Sequence, residues 1–195
     1  MSLSQIDPLL IEVPECLEGE RILLTMPRAG DGLALNAAVC ESLDELRPWM
    51  PWAQERPTVA QSEAHVRRMQ GRFILREDLC YSIWSRRADG GRDQLLGGTG
   101  LHRFDWGLRR FEIGYWIRRS AQGRGHVREA VGLLTRLAFG PLRAQRLEIR
   151  MEAGNARSRA VAEACGFALE GVLRHAVPGV DGAPRDACVY ARVSG

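Results

Sequence analysis

The sequence contains no lysine: all 27 of its basic residues are arginine, set against 24 acidic residues for a net charge of +3. We read the exclusive use of arginine as the coding bias of a GC-rich genome. A net charge this small does not point to nucleic acid as a partner. The five cysteines, Cys16, Cys40, Cys80, Cys165 and Cys188, are odd in number, scattered and never spaced C-x-x-C. This excludes a disulfide framework and fits reduced, buried thiols in a cytosol. His65, His102, His126 and His175 show neither H-x-H nor H-E-x-x-H spacing, so no metal is expected. No apolar run is long enough to span a bilayer. Met1 to Pro14 carries acidic residues and no basic stretch ahead of Leu9, Leu10 and Ile11, so the expected location is the cytoplasm. Internal repeats, low-complexity tracts and linkers are missing as well. The 195 residues are expected to form one domain, 1–195, with an N-terminal extension over 1–18.

What is present is a change of hydrophobic period along the chain. Arg21 to Met26 reads as a short strand, and Asp31 to Leu46 has apolar residues at helical spacing. Thr58 with Gln61 three residues on is a capping-box start, and Ala64, Val66, Met69, Phe73 and Ile74 extend an apolar stripe to near Arg76. Tyr81 to Ser85, Gln94 to His102 and Phe111 to Ile117 read as a meander of strands, the first two joined by the turn at Ala88 to Gly91. A helix over Val127 to Phe139, a strand over Arg146 to Met151 and a short helix over Ser158 to Ala164 follow. Two last strands cover Ala168 to Ala176 and Ala187 to Val193.

Between the third meander strand and the helix at Val127 lies Gln122, Gly123, Arg124, Gly125, His126, Val127. Glycines let the backbone turn with its N–H groups converging, and the following helix adds the positive end of its dipole. A pyrophosphate fits such a cradle. Further on, Asn155, Ala156, Arg157 and Ser158 open a short helix that ends at Gly166, before Phe167.

These two segments, in this order and spacing, resemble the GNAT superfamily of acetyl-CoA-dependent N-acetyltransferases. In the family pattern Q/R-x-x-G-x-G/A, the defined positions fall on Gln122, Gly125 and Val127, the last of which departs from the usual small residue. Asn155 to Phe167 resembles the second coenzyme segment. Leu46 to Trp52, Ile113 to Trp116 and Glu170 to Arg174 resemble the ribosomal-protein (alanine/serine) N-terminal acetyltransferase subgroup, over about Glu20 to Val193. The resemblance implies an α+β fold with a mixed, mostly antiparallel sheet of about seven strands and about four flanking helices. The strands on either side of the cradle helix are to splay apart, with the pantetheine arm in the gap.

On this reading acetyl-CoA is the cosubstrate and no metal takes part. Ile117 and Arg118 would offer backbone groups to the pantetheine. Gln122, Gly123, Arg124, Gly125, His126 and Val127 would hold the pyrophosphate, joined by Asn155 and Ser158. Arginines cluster at 109, 110, 118, 119 and 124, a pattern that fits a solvated face; for Arg124, and for Arg128 just after the cradle, phosphate contact is the alternative.

Acetyl transfer needs an amine freed of its proton and a proton for the departing thiolate. The tyrosine that many relatives carry seven residues after the motif asparagine is here Ala162, so the resemblance points to Ser158 as the acid, with helix capping as its other role. Glu112, on the strand entering the cradle, is the candidate base or else a structural carboxylate. The subgroup's base position falls in His175 to Val177, where valine stands at the best match and His175 is a neighbour of suitable chemistry. Trp49, Met50, Pro51 and Trp52 either wall a substrate groove or fill a core, and the turn Pro178 to Pro184 could form the opposite lip.

The acceptor implied is a primary amine, first a protein N-terminus of ribosomal type. Polyamines or aminoglycosides are the alternative, and a non-catalytic coenzyme A-binding protein or a nucleic-acid module are the rival classes. A homodimer is implied by analogy.

Overall fold

A computed structural model describes residues 7–195; that part of the leader reading which rests on residues 1–6 lies outside the described residues. Eight strands form one sheet: β1 (Cys16–Glu18), β2 (Ile22–Thr25), β3 (Leu79–Arg86), β4 (Arg92–Asp105), β5 (Arg110–Ile117), β6 (Arg146–Glu152), β7 (Ala168–Pro178) and β8 (Pro184–Val193). Their order is β1-β2-β3-β4-β5-β6-β8-β7. Every neighbouring pair is antiparallel except β5 and β6, which are parallel. A parallel pair needs a crossover, and α4 (His126–Phe139) supplies it.

The other helices are α1 (Gly32–Glu41), α2 (Leu43–Leu46), α3 (Val59–Ile74) and α5 (Ala156–Ala164). This is one strand and one helix more than the sequence suggests. The extra strand, β1, is three residues long and too short to show a period. The extra helix arises because the stretch expected as one helix breaks at Ser42. There the hydroxyl donates to the Ala38 carbonyl at 2.8 Å and accepts the Arg119 N–H at 2.9 Å. A hydroxyl bonded back to the i−4 carbonyl competes with the helix ladder.

Alternation along the strands divides the interior. Ile22, Leu24, Ile83, Leu101, Phe111 and Ile113 point into the main core, where α4 adds Ala130, Val131, Leu134, Leu137 and Ala138. Each buried leucine stabilises the fold by about 2 kcal/mol. Leu23, Trp84 and Leu95 point the other way and meet Ala38 of α1. The capping box at Thr58 and Gln61 forms as expected and starts α3, which packs beside α1.

The decisive feature is how little β5 and β6 pair. Only Arg110 with Arg146, Phe111 with Leu147 and Glu112 with Glu148 are in register. Beyond them β5 stays on β4 as far as Ile117, while β6 stays on β8 as far as Glu152. The two strands therefore part at the end that leads into the glycine-rich turn.

Candidate active site

The gap between β5 and β6 opens into a cavity of about 1250 Å³. Its β5 wall follows from ladder parity. The Arg118 N–H donates to the Leu96 carbonyl at 2.7 Å. In an antiparallel ladder alternate residues bond alternate sides, so Ile117, Tyr115 and Ile113 turn their N–H and C=O groups toward the opened edge. Arg118 is placed differently from the sequence expectation. Its N–H is spent on Leu96, its carbonyl accepts the Ala121 N–H, and its guanidinium is buried against Glu41 and the Leu95 carbonyl. Of the two, only Ile117 keeps its backbone groups turned toward the gap.

The Glu41–Arg118 pair ties the end of α1 to the approach of the cradle. Glu41 also accepts the Ser120 N–H at 2.9 Å. Chiefly through the Arg118 bond, its carboxyl is held down to about 2. A carboxyl whose folded value is depressed stabilises the fold above its unfolded value and loses that contribution as pH falls toward 2. Glu41→Gln should cost about 2 kcal/mol by leaving Arg118 without its counter-ion, lowering Tm by about 4–8 °C. Thermal unfolding from neutral pH down to about pH 3 should show the wild type converging on the variant.

The glycine-rich turn leads directly into α4. Gly123 and Gly125 have φ of +72° and +79°, and Gly125 is the N-cap of α4, whose first N–H groups receive no side-chain cap. Arg21, just ahead of β2, braces the turn: its Nη1 donates to the Arg124 carbonyl at 2.8 Å, and its Nε donates to Glu129 at 3.0 Å. Arg157 Nη1 donates to Gln122 Oε1 at 2.7 Å, joining the cradle to α5. His126 Nδ1 is buried with no hydrogen-bond partner. Burial first, and the nearby Arg21 second, push the His126 imidazole below its ordinary value. Val127 packs against the main core while bordering the cavity, so its branched side chain leaves the turn open. Uncapped helix N–H groups, two left-handed glycines, Arg128 and Arg157 on the cavity wall and an orphaned imidazole nitrogen fit a pyrophosphate.

Asn155 caps α5: its Oδ1 accepts the Ser158 N–H at 3.1 Å. The Ser158 hydroxyl is therefore free of capping and meets Tyr115 Oη at 2.8 Å, while Tyr115 Oη also donates to the Ser158 carbonyl at 3.1 Å. Burial raises the Tyr115 phenol to about 12, against the lowering effect of its bond to Ser158. Ala162, where many relatives carry a tyrosine, is fully buried. Tyr115 from β5 brings a phenol to Ser158 by another route. Nothing local in the sequence joins residues 115 and 158.

Glu112 lies at the last paired position of β5, opposite His102 and Glu148, with Arg103 Nη1 at 3.5 Å. Burial raises its carboxyl, with Arg103 as the main opposing influence. It does not border the cavity, whereas His102 does. His175 sits at φ +50° on the exposed β7, its N–H donating to Asp186, and neither it nor the turn Pro178 to Pro184 reaches the cavity. The loop Trp49 to Trp52 does. Trp49, Met50 and Trp52 line the mouth, and Trp52 meets Trp116 edge-on at 5.9 Å.

Among the described residues, one grouping has ligand-like spacing: Asp78, Cys80 and His102, with atoms within 4.8 Å of one another. Hydrogen bonding accounts for it. His102 Nδ1 lies 2.6 Å from Asp78 Oδ1, and burial, reinforced by Asp78, pushes the Cys80 thiol up, keeping it protonated.

Residues 21–168 match the profile described as an acetyltransferase (GNAT) domain. The chain belongs to the GNAT acetyltransferase family. It is an acetyl-CoA-dependent acetyltransferase. YdaF of Bacillus subtilis is 38% identical over 97 residues, which is 50% of this chain and 52% of that relative, so the match spans about half its length. The ribosomal-protein-serine acetyltransferase of Escherichia coli is 28% identical over 160 residues, covering 82% of this chain and 85% of that protein. Among solved structures, the microcin C7 self-immunity acetyltransferase MccE, in complex with acetyl-CoA and AMP, superposes with a TM-score of 0.83 at 23% identity. The match covers 93% of this chain and 98% of that one. This likeness shows the shared fold, and no helix among the described residues is long and apolar enough to cross a membrane.

Proposed function

We propose that this GNAT enzyme acetylates the N-terminal amine of a protein, of the ribosomal-protein type. One observation carries the reading: a single cavity runs from the cradle, through the β5–β6 gap, to a mouth lined by Trp49, Met50 and Trp52. A mouth walled by partly exposed aromatics on a loop suits the flexible end of a polypeptide, because rigid rings supply contact area at little entropic cost. The name of the Escherichia coli relative, a ribosomal-protein-serine acetyltransferase, supports the same acceptor.

In this scheme the residues divide the work. Gln122, Gly123, Arg124, Gly125, His126 and Val127 hold the pyrophosphate, and Ile117 pairs with the pantetheine as an added strand would. Asn155 fixes the start of α5, and so the place of Ser158, whose hydroxyl, backed by Tyr115, holds the proton for the departing sulfur. Acetyl-CoA supplies the activated carbonyl and a leaving group that needs one proton. Glu112 remains a candidate to accept the amine's proton, beside its cross-strand neighbour His102. We take the enzyme to work in the cytoplasm as one acetyltransferase domain, a reading supported by the absence of a helix long and apolar enough to cross a membrane among the described residues. A homodimer is the assembly we favour, the exposed Leu169, Val172 and Leu173 of the edge strand β7 offering an apolar contact.

The test is thiol release from acetyl-CoA with peptides beginning in Ser or Ala, beside polyamines and aminoglycosides. Peptides are expected to be turned over with kcat/KM at least about tenfold above the small amines. A preference for a small amine, or turnover of none, would overturn this acceptor.

A further inference from the structure

We propose that His102, oriented by Asp78, takes the proton from the acceptor's ammonium group; this rests on the acetyl-transfer reading above. The ring lies where two neighbouring strands carry no side chain. A Cβ at Gly100 would stand 3.1 Å from His102 Cε1, and one at Gly114 would stand 3.0 Å from Nε2. The imidazole thus rests on a glycine floor made by the paired Gly100 of β4 and Gly114 of β5, at the point where β5 begins to part from β6, and borders the cavity.

Its other nitrogen is fixed. Nδ1 lies 2.6 Å from Asp78 Oδ1, and Asp78, buried, is paired in turn with Arg72 Nη1 at 3.3 Å. A carboxylate held by arginine accepts, so Nδ1 carries the hydrogen and Nε2, beside Gly114, carries the lone pair. The ionisable groups around the ring are His65 and Arg72 of α3, Asp78 and Cys80 at the start of β3, and Glu112 across from it on β5 with its partner Arg103, beyond which lie Glu148 and Arg150 of β6. Of the two base candidates on this face, only His102 reaches the cavity.

Two protons leave the acceptor nitrogen in all. The first passes to Nε2, which becomes imidazolium and later yields it to solvent. The freed lone pair then forms the C–N bond as the C–S bond breaks. The proton that leaves Ser158 for sulfur is made good by the second proton from nitrogen. No oxidant, reductant or metal is required, and atoms balance with one proton released per turnover.

Asp78 acts through His102 and is a positioning residue. His102→Gln should lower kcat by about 100-fold at neutral pH, a typical general-base contribution, while acetyl-CoA affinity stays within about twofold. The loss should shrink above about pH 9, where an α-amine has already shed its proton. His102→Ala should regain activity on addition of imidazole, and Asp78→Asn should lower kcat without changing either KM, with Asp78→Glu recovering part of it.

Each variant is assayed with whichever amine the wild type turns over, so a wrong acceptor assignment appears in the wild type alone. The proposal fails if folded His102→Gln keeps kcat within threefold of wild type. It fails too if the loss neither shrinks at high pH nor responds to imidazole, or if Glu112→Gln shows that pH-dependent loss in its place.

Discussion

Gly125→Val is expected to weaken acetyl-CoA binding by about 100-fold, because two costs coincide at one position. The residue sits at φ +79°, where an L side chain costs about 1–2 kcal/mol, and a β-branched one is the worst placed. The added side chain also enters the concavity into which the first α4 N–H groups point, and each charge-assisted bond lost there costs about 1.5–3 kcal/mol. About 3 kcal/mol in total corresponds to the stated factor. Arg21 is no obstacle by itself: its Nη2 would lie 3.2 Å from the new Cβ and belongs to the end of a flexible side chain. Gly132→Ala, inside α4 with only Arg136 Nη1 near at 3.9 Å, is the control. It should stabilise the helix by about 1 kcal/mol and leave affinity unchanged. Calorimetric titration of the two variants decides the matter. A Gly125→Val protein that unfolds at the wild-type temperature and binds acetyl-CoA within threefold of wild type would remove the cradle from coenzyme binding.

Much of this architecture is legible in the sequence because its causes are local. The strand at Phe111 to Ile117 alternates apolar and polar or small residues, α3 announces itself by Thr58 and Gln61, and the cradle is written in two glycines followed by a helical stripe. The break at Ser42 is not legible. A serine in a helical stretch is unremarkable until Arg119, 77 residues away, is seen to donate to it. Arg118 illustrates the same limit. Its position after β5 suggested free backbone groups, yet the ladder to β4 runs one residue further than the apolar pattern indicates.

The site divides along the same line. Asn155 and Ser158 are three apart on one turn of helix, so their relation could be read from spacing. His102, Asp78 and Tyr115 could not be assigned in that way. Spacing along the chain tests His102 only as a metal ligand, because its partner lies 24 residues earlier, across an antiparallel pair, and its setting depends on glycines on β4 and β5. Glycines at alternate positions of adjacent strands, as at Gly98, Gly100 and Gly114, were the one usable signal. They mark a stretch of sheet that a ring or a ligand approaches closely.

Ser158→Ala is expected to lower kcat by about 100-fold while leaving acetyl-CoA affinity nearly unchanged, since protonating the departing sulfur matters in the transition state and not in the bound ground state. The geometry removes the competing explanation that the serine merely caps α5. Asn155 supplies that cap through the Ser158 N–H, which alanine retains, so the variant should fold and melt like the wild type. Tyr115 refines the expectation. Its phenol, held up to about 12 by burial, gives no proton to bulk solvent at neutral pH but can turn its one hydrogen from the Ser158 carbonyl to Ser158 Oγ, 2.8 Å away, as the serine gives its own proton away. Tyr115→Phe should therefore cost about tenfold in kcat. Combining it with Ser158→Ala should add little, because the phenol acts only through the serine. Multiplying effects in the double variant would make the two residues independent, and a full-rate Ser158→Ala enzyme would return sulfur protonation to solvent.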